Sequence, residues 1–252
     1  MVAVVLVYFG LIAGALGVVS LLKPLTFLKI RSRAAGALVG AGGLVLVATG
    51  FALPADETKV AVARTQLDQF VPVYQFHESH SIRINQSKER AYNAIKAVTA
   101  DEIALFHTLT WIRRLGRPGP ESVLQAPGGV PLLEVATRTS FLLLAEEPDH
   151  EIVVGTAVVT PPGWRPKARP TPEDFKSLHT PGFALAAMNF EVEATGPGTC
   201  VVTTDTRIYA TDPSARRKFA RYWRVIYPGS ALIRRMWLEA IRKRAEAVAG
   251  KP

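Results

Sequence analysis

The side chains best suited to chemistry in this 252-residue sequence crowd into His77-Glu78-Ser79-His80. Imidazole and carboxylate groups this close can ligate a metal or move a proton near neutral pH. On a β-strand, side chains alternate, so Glu78 and His80 share one face and His77 points to the other. Two of the three ligands then diverge, and no metal site is expected. The zinc-protease pattern, two histidines four apart on a helix, is absent. The plain reading is a strand whose polar groups hydrogen-bond across a sheet. The functional reading is a Glu78–His80 pair that orients a ligand or transfers a proton.

A second polar group lies on Val201–Tyr209. There Thr203, Asp205, Arg207 and Tyr209 share a face, opposite Thr204, Thr206 and Ile208. The plain reading is a solvent-facing ion pair. The functional one is an arginine that binds an anionic headgroup or a carboxylate. Asn189 poses the same choice, with Met188 and Phe190 on the face opposite it. His107, His150 and His179 have no partner by spacing. The sequence shows no glycine-rich phosphate loop, nucleophile elbow or paired carboxylates, and no cofactor is expected. Cys200 is the single cysteine, which excludes an intrachain disulfide and a multi-cysteine metal site.

The elements that must carry these residues begin outside any soluble fold. Val2–Leu22 and Ala34–Leu53 are uncharged runs long enough to cross a bilayer, which takes about 20 residues. No lysine or arginine precedes the first run and a second one follows, so a retained hairpin fits better than a cleaved signal. Gly36, Gly40 and Gly43 allow close helix approach. Lys23, Lys29, Arg31 and Arg33 lie between the runs without an acid, which holds that loop in the cytoplasm and sends the rest of the chain outside it. The expected organisation is a transmembrane hairpin over 1–53, a linker over 54–71 and a soluble domain over 72–252. The net charge is +9, and residues 1–66 hold six basic and two acidic side chains, leaving +5 for the remainder. That excess suits an anionic surface and does not call for nucleic acid.

In the soluble part, alternation predicts a strand over Val73–Ile84 with Tyr74, Phe76, Glu78, His80, Ile82 and Ile84 on one face. Ser87 caps a helix carrying Ala91, Tyr92, Ala94, Ile95 and Val98, and the Thr99/Glu102 spacing opens a second over Asp101–Leu115. Five strands are then expected: Leu132–Thr139, Phe141–Glu146, Glu151–Thr160, Phe183–Ala194 and Thr199–Ala210. Residues 161–182, rich in proline, read as a long loop or lid. Asp212 and Pro213 open a terminal helix, expected to break and kink at Pro228-Gly229, with Ser230 as a second cap. Its apolar positions are Phe219, Trp223, Ile226, Tyr227, Leu232, Ile233, Met236, Trp237, Ala240, Ile241 and Val248.

This order resembles the helix-grip fold of the START/polyketide-cyclase-like (SRPBCC) superfamily. The resemblance rests on the strand entering a helix at 73–95, the hairpin at 141–159 and the strand at 199–210 that leads into the last helix. It implies an α+β domain, a curved antiparallel sheet around a long C-terminal helix, here preceded by two transmembrane helices. It also implies a cavity for an apolar ligand, with Tyr74, Phe76, Glu78, His80, Asn189, Arg207, Trp223 and Tyr227 as expected lining residues. The first functional reading is a membrane-anchored binding domain for a lipid or other apolar small molecule. The alternatives are a cyclase- or hydratase-type enzyme using Glu78 and His80 as catalytic groups, and an interaction module whose cavity is filled by its own side chains.

Overall fold

The computed structural model describes residues 2–167 and 170–247. The chain divides into two units, one of Met1–Ala55 with Ala220–Tyr227 and one of Asp56–Phe219 with Pro228–Pro252.

The first unit is built on two apolar helices, α1 (Val2–Leu22) and α2 (Arg33–Ala52), the second capped by Ser32, whose hydroxyl accepts from the Ala35 amide. Both are long and apolar enough to cross a membrane. They run antiparallel and almost touch along a row of glycines. A Cβ on Gly17 would lie 2.5 Å from the Gly40 Cα, and one on Gly43 2.5 Å from the Gly14 amide nitrogen. Only hydrogen at those positions lets the two backbones come so near.

The second unit starts with a short strand, β1 (Thr58–Lys59), and a one-turn helix, α3 (Gln66–Phe70). Both fall in the segment expected to be a linker, and Leu67 and Asp68 of α3 are buried. Strand β2 (Val73–Tyr74) pairs with β1, and the chain then enters β3 (Phe76–Ile84). Helix α4 (Lys88–Ala97) follows, capped as expected by Ser87. The Thr99/Glu102 capping box forms but opens only a single 3-10 turn. Leu105 then adopts a left-handed conformation (φ 57°), and α5 (Phe106–Arg113) begins after it. The expected continuous helix from Asp101 to Leu115 is therefore two pieces.

Leu132–Thr139 is a helix, α6, and not the strand expected. Its buried residues, Leu132, Leu133, Val135 and Ala136, follow the spacing of one helical face. Glu134 and Arg138 pair one turn apart at 3.1 Å. Strands β4 (Leu142–Glu147), β5 (Glu151–Val159), β6 (Ala184–Gly196) and β7 (Thr199–Ala210) lie within two residues of their expected ends. Between β5 and β6 the loop contains one helical turn, α7 (Pro172–Lys176), that buries Phe175; Ala168 and Arg169 of that loop lie outside the described residues.

The sheet is antiparallel in the order β3-β7-β6-β5-β4. One face carries Ile84, Ile152, Val154, Met188, Phe190, Val192 and Val202, which share a core with Trp237, Leu238 and Ile241. Those last three belong to α8 (Pro213–Glu246), whose first free amides, at Ser214 and Ala215, donate to Asp212 Oδ1. The helix runs unbroken through Pro228 and Gly229, contrary to the expected break. Proline removes one backbone donor, but the hydrogen bonds on either side keep the helical path. Ser230 is accordingly not a cap, and Leu232, expected in the core, is exposed. Val248 lies outside the described residues.

Candidate functional site

Register decides which polar residues can meet. In the β3–β7 pair, Phe76, Glu78 and His80 oppose Ile208, Thr206 and Thr204, while His77 opposes Arg207 and Ser79 opposes Asp205. The first set points to the core shared with α8, and the second to the other side of the sheet. The expected lining set is therefore split. Phe76, Glu78 and His80 are together, with the Phe76 ring 4.9 Å from that of Phe219. Asn189 and Arg207 lie on the opposite face. Tyr74 joins them, because the chain breaks its alternation at Gln75 and the Arg207 guanidinium sits 5.0 Å from the Tyr74 ring. Trp223 and Tyr227 stack edge to face at 5.4 Å within the unit that holds the hairpin.

Glu78 is 3% exposed and both its oxygens are engaged. Oε1 is 2.8 Å from His80 Nε2, and Oε2 accepts from the Ser230 hydroxyl at 3.0 Å. His80 Nδ1 accepts from Arg235 Nε at 3.5 Å. Arg234 contacts the Met188 sulfur and lies 5.6 Å from the centre of the Trp237 ring. Burial pulls its guanidinium pKa down to about 10, against the opposing pull of the Glu78 carboxylate. The group thus ties β3 to α8, with one hydrogen bond on each Glu78 oxygen.

On the other face, Arg207 Nη1 donates to Asp68 Oδ1 at 2.6 Å, and Arg207 Nε to Asp205 Oδ2 at 3.1 Å. Burial pushes the Asp68 pKa up, but the Arg64 and Thr65 amides and the Arg207 charge outweigh it and hold the carboxyl at about 2. His77 Nε2 approaches Asp205 Oδ1 at 2.7 Å. Glu151, fully buried, accepts from the Asn189 amide at 2.7 Å and from the Gln66 and Leu67 backbone amides of α3. A carboxylate at those first free amides suits the positive end of a helix. Asn189 Oδ1 in turn accepts from the Asp205 amide. These side chains clamp residues 64–74 onto the sheet. Among the described residues, no three histidine, cysteine, aspartate or glutamate side chains are placed to share a metal ion.

An open space lies elsewhere on the α8 side. A cavity of about 320 Å³ sits between α6 and the β4–β5 hairpin. Leu133, Leu143, Ile152 and Val154 form its apolar floor, and Lys96, Glu134, Thr137 and Glu146 its rim. The rim groups are already partnered. Glu146 Oε1 accepts from Lys96 Nζ at 2.6 Å and from the Tyr92 hydroxyl at 2.8 Å. The Lys96 and Tyr92 hydrogen bonds hold the Glu146 pKa below the usual carboxylate range, while burial and then Glu146 push that of Tyr92 up. Glu134 pairs with Arg138. The cavity therefore offers apolar surface below a rim of paired charges. None of the residues expected to line a cavity is on its wall. Scanning Leu132–Thr139 with period two conceals the true wall, although the Glu134/Arg138 spacing and the doublets Leu132-Leu133 and Val135-Ala136 carry the helical signal.

No protein-family model matches the chain, and no curated protein matches it. Among solved structures, the chain is similar to TTHA0849 of Thermus thermophilus, at 11% identity over 69% of this chain and 100% of that one, TM-score 0.29. It is also similar to norcoclaurine synthase of Thalictrum flavum, solved with dopamine and hydroxybenzaldehyde, at 11% identity over 77% and 99%, TM-score 0.27. A third is human STARD10, at 9% identity over 66% of this chain and 63% of that one, TM-score 0.26. Norcoclaurine synthase and STARD10 are START/Bet v1-like proteins. At such scores they carry no argument about the site, which rests on the chain's own geometry.

Proposed function

We propose that this chain is a membrane-anchored domain that binds an apolar small molecule or lipid in the cavity between α6 and the β4–β5 hairpin. The observation that carries this reading is the cavity itself: about 320 Å³, at the lower end of the roughly 300–1,000 Å³ usual for ligand sites, with an apolar floor and rim charges that are each already paired. Burying one CH₂ is worth about 0.8 kcal/mol, so an alkyl body of roughly eight carbons gains about 6 kcal/mol before the costs of association. The partner so described is a short acyl chain or a compact apolar ring system.

Catalysis by Glu78 and His80 is disfavoured by the same geometry. Neither residue is on the cavity wall, and the Glu78 side chain is 1% exposed. The region between the sheet and α8 is filled by Met188, Phe190, Trp237 and their neighbours.

The anchor is α1 and α2. At 1.5 Å per residue, 21 residues extend about 31 Å, the thickness of a hydrocarbon core. With Lys23, Lys29, Arg31 and Arg33 around the turn, that turn stays in the cytoplasm and the binding domain lies outside it. Residues 1–53 then form the anchor and 72–252 the ligand-binding domain, with 54–71 connecting them and α3 of that segment held on the sheet. Titration of the full-length chain in detergent with a polarity-sensitive apolar dye tests the reading. Saturable binding that Thr137→Trp weakens at least tenfold is expected, and equal binding by both proteins would overturn it.

A further inference from the structure

The unit that contains α1 and α2 has a third member, and it comes from the other end of the chain. Ala220–Tyr227 of α8 groups with the hairpin. Two hydrogen bonds fix the contact: the Tyr8 hydroxyl donates to the Val225 carbonyl at 2.6 Å, and Arg224 donates to the Leu53 carbonyl. Leu53 is the residue at which the chain leaves α2. Tyr8 is six residues into α1, about 9 Å from that end of the helix. The segment is thus held at the level where a spanning hairpin meets water.

Its composition fits that depth. Tyr222, Trp223 and Tyr227 belong to the residue types enriched at membrane–water boundaries. Arg224, buried, is spent on the Leu53 carbonyl. The side chains facing outward are Arg221, Tyr222 and Val225, of which Tyr222 is 40% and Val225 54% exposed. At about 100° per residue these three fall within an arc of roughly 100°, so one narrow face presents an apolar residue, an aromatic ring with a polar tip and a cation.

Resting on the anchor reading above, we infer that Ala220–Tyr227 is an interfacial part of the membrane anchor. Val225 and the Tyr222 ring enter the boundary between headgroups and acyl chains, and Arg221 meets lipid phosphate. The occupant of this face is the lipid of the same bilayer that holds the hairpin, because the two hydrogen bonds to the hairpin set the depth of the face. The terminal helix thereby lends one stretch of its length to the anchor.

The full-length chain is reconstituted in phosphatidylcholine vesicles with one part in five of phosphatidylglycerol, after Val225→Cys or, separately, Leu44→Cys is labelled with an environment-sensitive fluorophore. Leu44 lies on the exposed face of α2 and reports insertion of the hairpin. The buried native Cys200 sets the labelling background, measured on the unsubstituted chain. Nitroxide lipids quench from within the bilayer and iodide from water. The inference predicts that a shallow nitroxide quenches the Val225 label about twofold more than a deep one does, with the order reversed at Leu44. Iodide quenching at Val225 without lipid quenching, while Leu44 remains lipid-quenched, overturns the inference and leaves the anchor standing. Protection of Val225 from both quenchers would place it against protein, such as a second copy, and also overturns it. Loss of lipid quenching at both positions overturns the anchor and the inference with it.

Discussion

Arg207 and Asp68 are 139 residues apart in the sequence and meet at 2.6 Å on the side of the sheet opposite α8. The pair closes a clamp. The Asp68 carboxylate caps α3 through the Arg64 and Thr65 amides, Arg207 ties it to β7, and the Tyr74 ring covers the guanidinium. The segment that leads out of the hairpin is in this way made part of the folded domain.

The clamp has a pH signature. The folded pKa of Asp68, about 2, lies below its ordinary value of 3.8. A depressed carboxyl pKa gives stability that is fully present above the unfolded value and is lost as pH falls through the folded one. The contribution is about 2 kcal/mol, and it disappears between roughly pH 4 and pH 2. Asp68→Asn leaves Arg207 with one carboxylate partner and is expected to cost about 3 kcal/mol at pH 7. The difference between variant and parent in denaturant unfolding should shrink as pH approaches 2. A pH-independent difference would separate Asp68 from the clamp.

The glycine row in the hairpin predicts a sharp positional contrast. A Cβ on Gly17 would meet backbone at 2.5 Å, whereas one on Gly42 meets nothing within 4 Å. Gly17→Leu should pry α1 from α2 and lower the thermal midpoint of the detergent-solubilised chain by several degrees, with Gly42→Leu close to the parent. Similar midpoints for the two variants would rule out the close approach.

The terminal helix yields three comparisons. Trp237, 3% exposed and 4.9 Å from the Phe190 ring, should cost about 3–5 kcal/mol when cut to alanine. Leu232, 38% exposed, should cost within about 0.5 kcal/mol. Gly229→Ala should stabilise by about 0.5–1 kcal/mol, because the position is helical and open. A loss of stability in Gly229→Ala would mean that the helix is interrupted there in solution.

The elements legible in the sequence are those whose local chemistry has one outcome. Val2–Leu22 has no charge to stop it, Ser87 and Asp212 offer caps, β5 and β6 are apolar runs bounded by turn residues, and β7 alternates. Glu78 and His80 share a face as expected, because strand alternation depends on neighbours two apart, and they meet at 2.8 Å. The sidedness of Asn189 and Arg207 is not a local property, since it depends on which face α8 covers. Tyr74 falls on the other face from the one expected because of the irregularity at Gln75. The cavity is hidden in the sequence because a short amphipathic helix such as Leu132–Thr139 can also be scanned with period two, and its true face shows only once Pro131 and α4 surround it. Pro228 shows the opposite limit: a strong local breaker is overridden when tertiary contacts on both sides hold the helix.

The orientation proposed for the domain rests on the charges at the turn of the hairpin. A reporter fused after Pro252 should be active only if it works outside the cytoplasm. Activity from a cytoplasm-only reporter would invert the topology and leave the fold untouched.

Whether the cavity over Leu133, Leu143, Ile152 and Val154 holds an apolar ligand can be read by native mass spectrometry of the full-length chain released from detergent. Leu143 is 39% exposed and lines the cavity, so Leu143→Trp fills the space with little disturbance to the core beneath. A defined mass above that of the parent polypeptide is expected, removable by collisional activation and lost from Leu143→Trp while that variant keeps the parent's unfolding midpoint. A bare polypeptide mass for the parent after incubation with short-chain lipids, or the same adduct on both proteins, would contradict it.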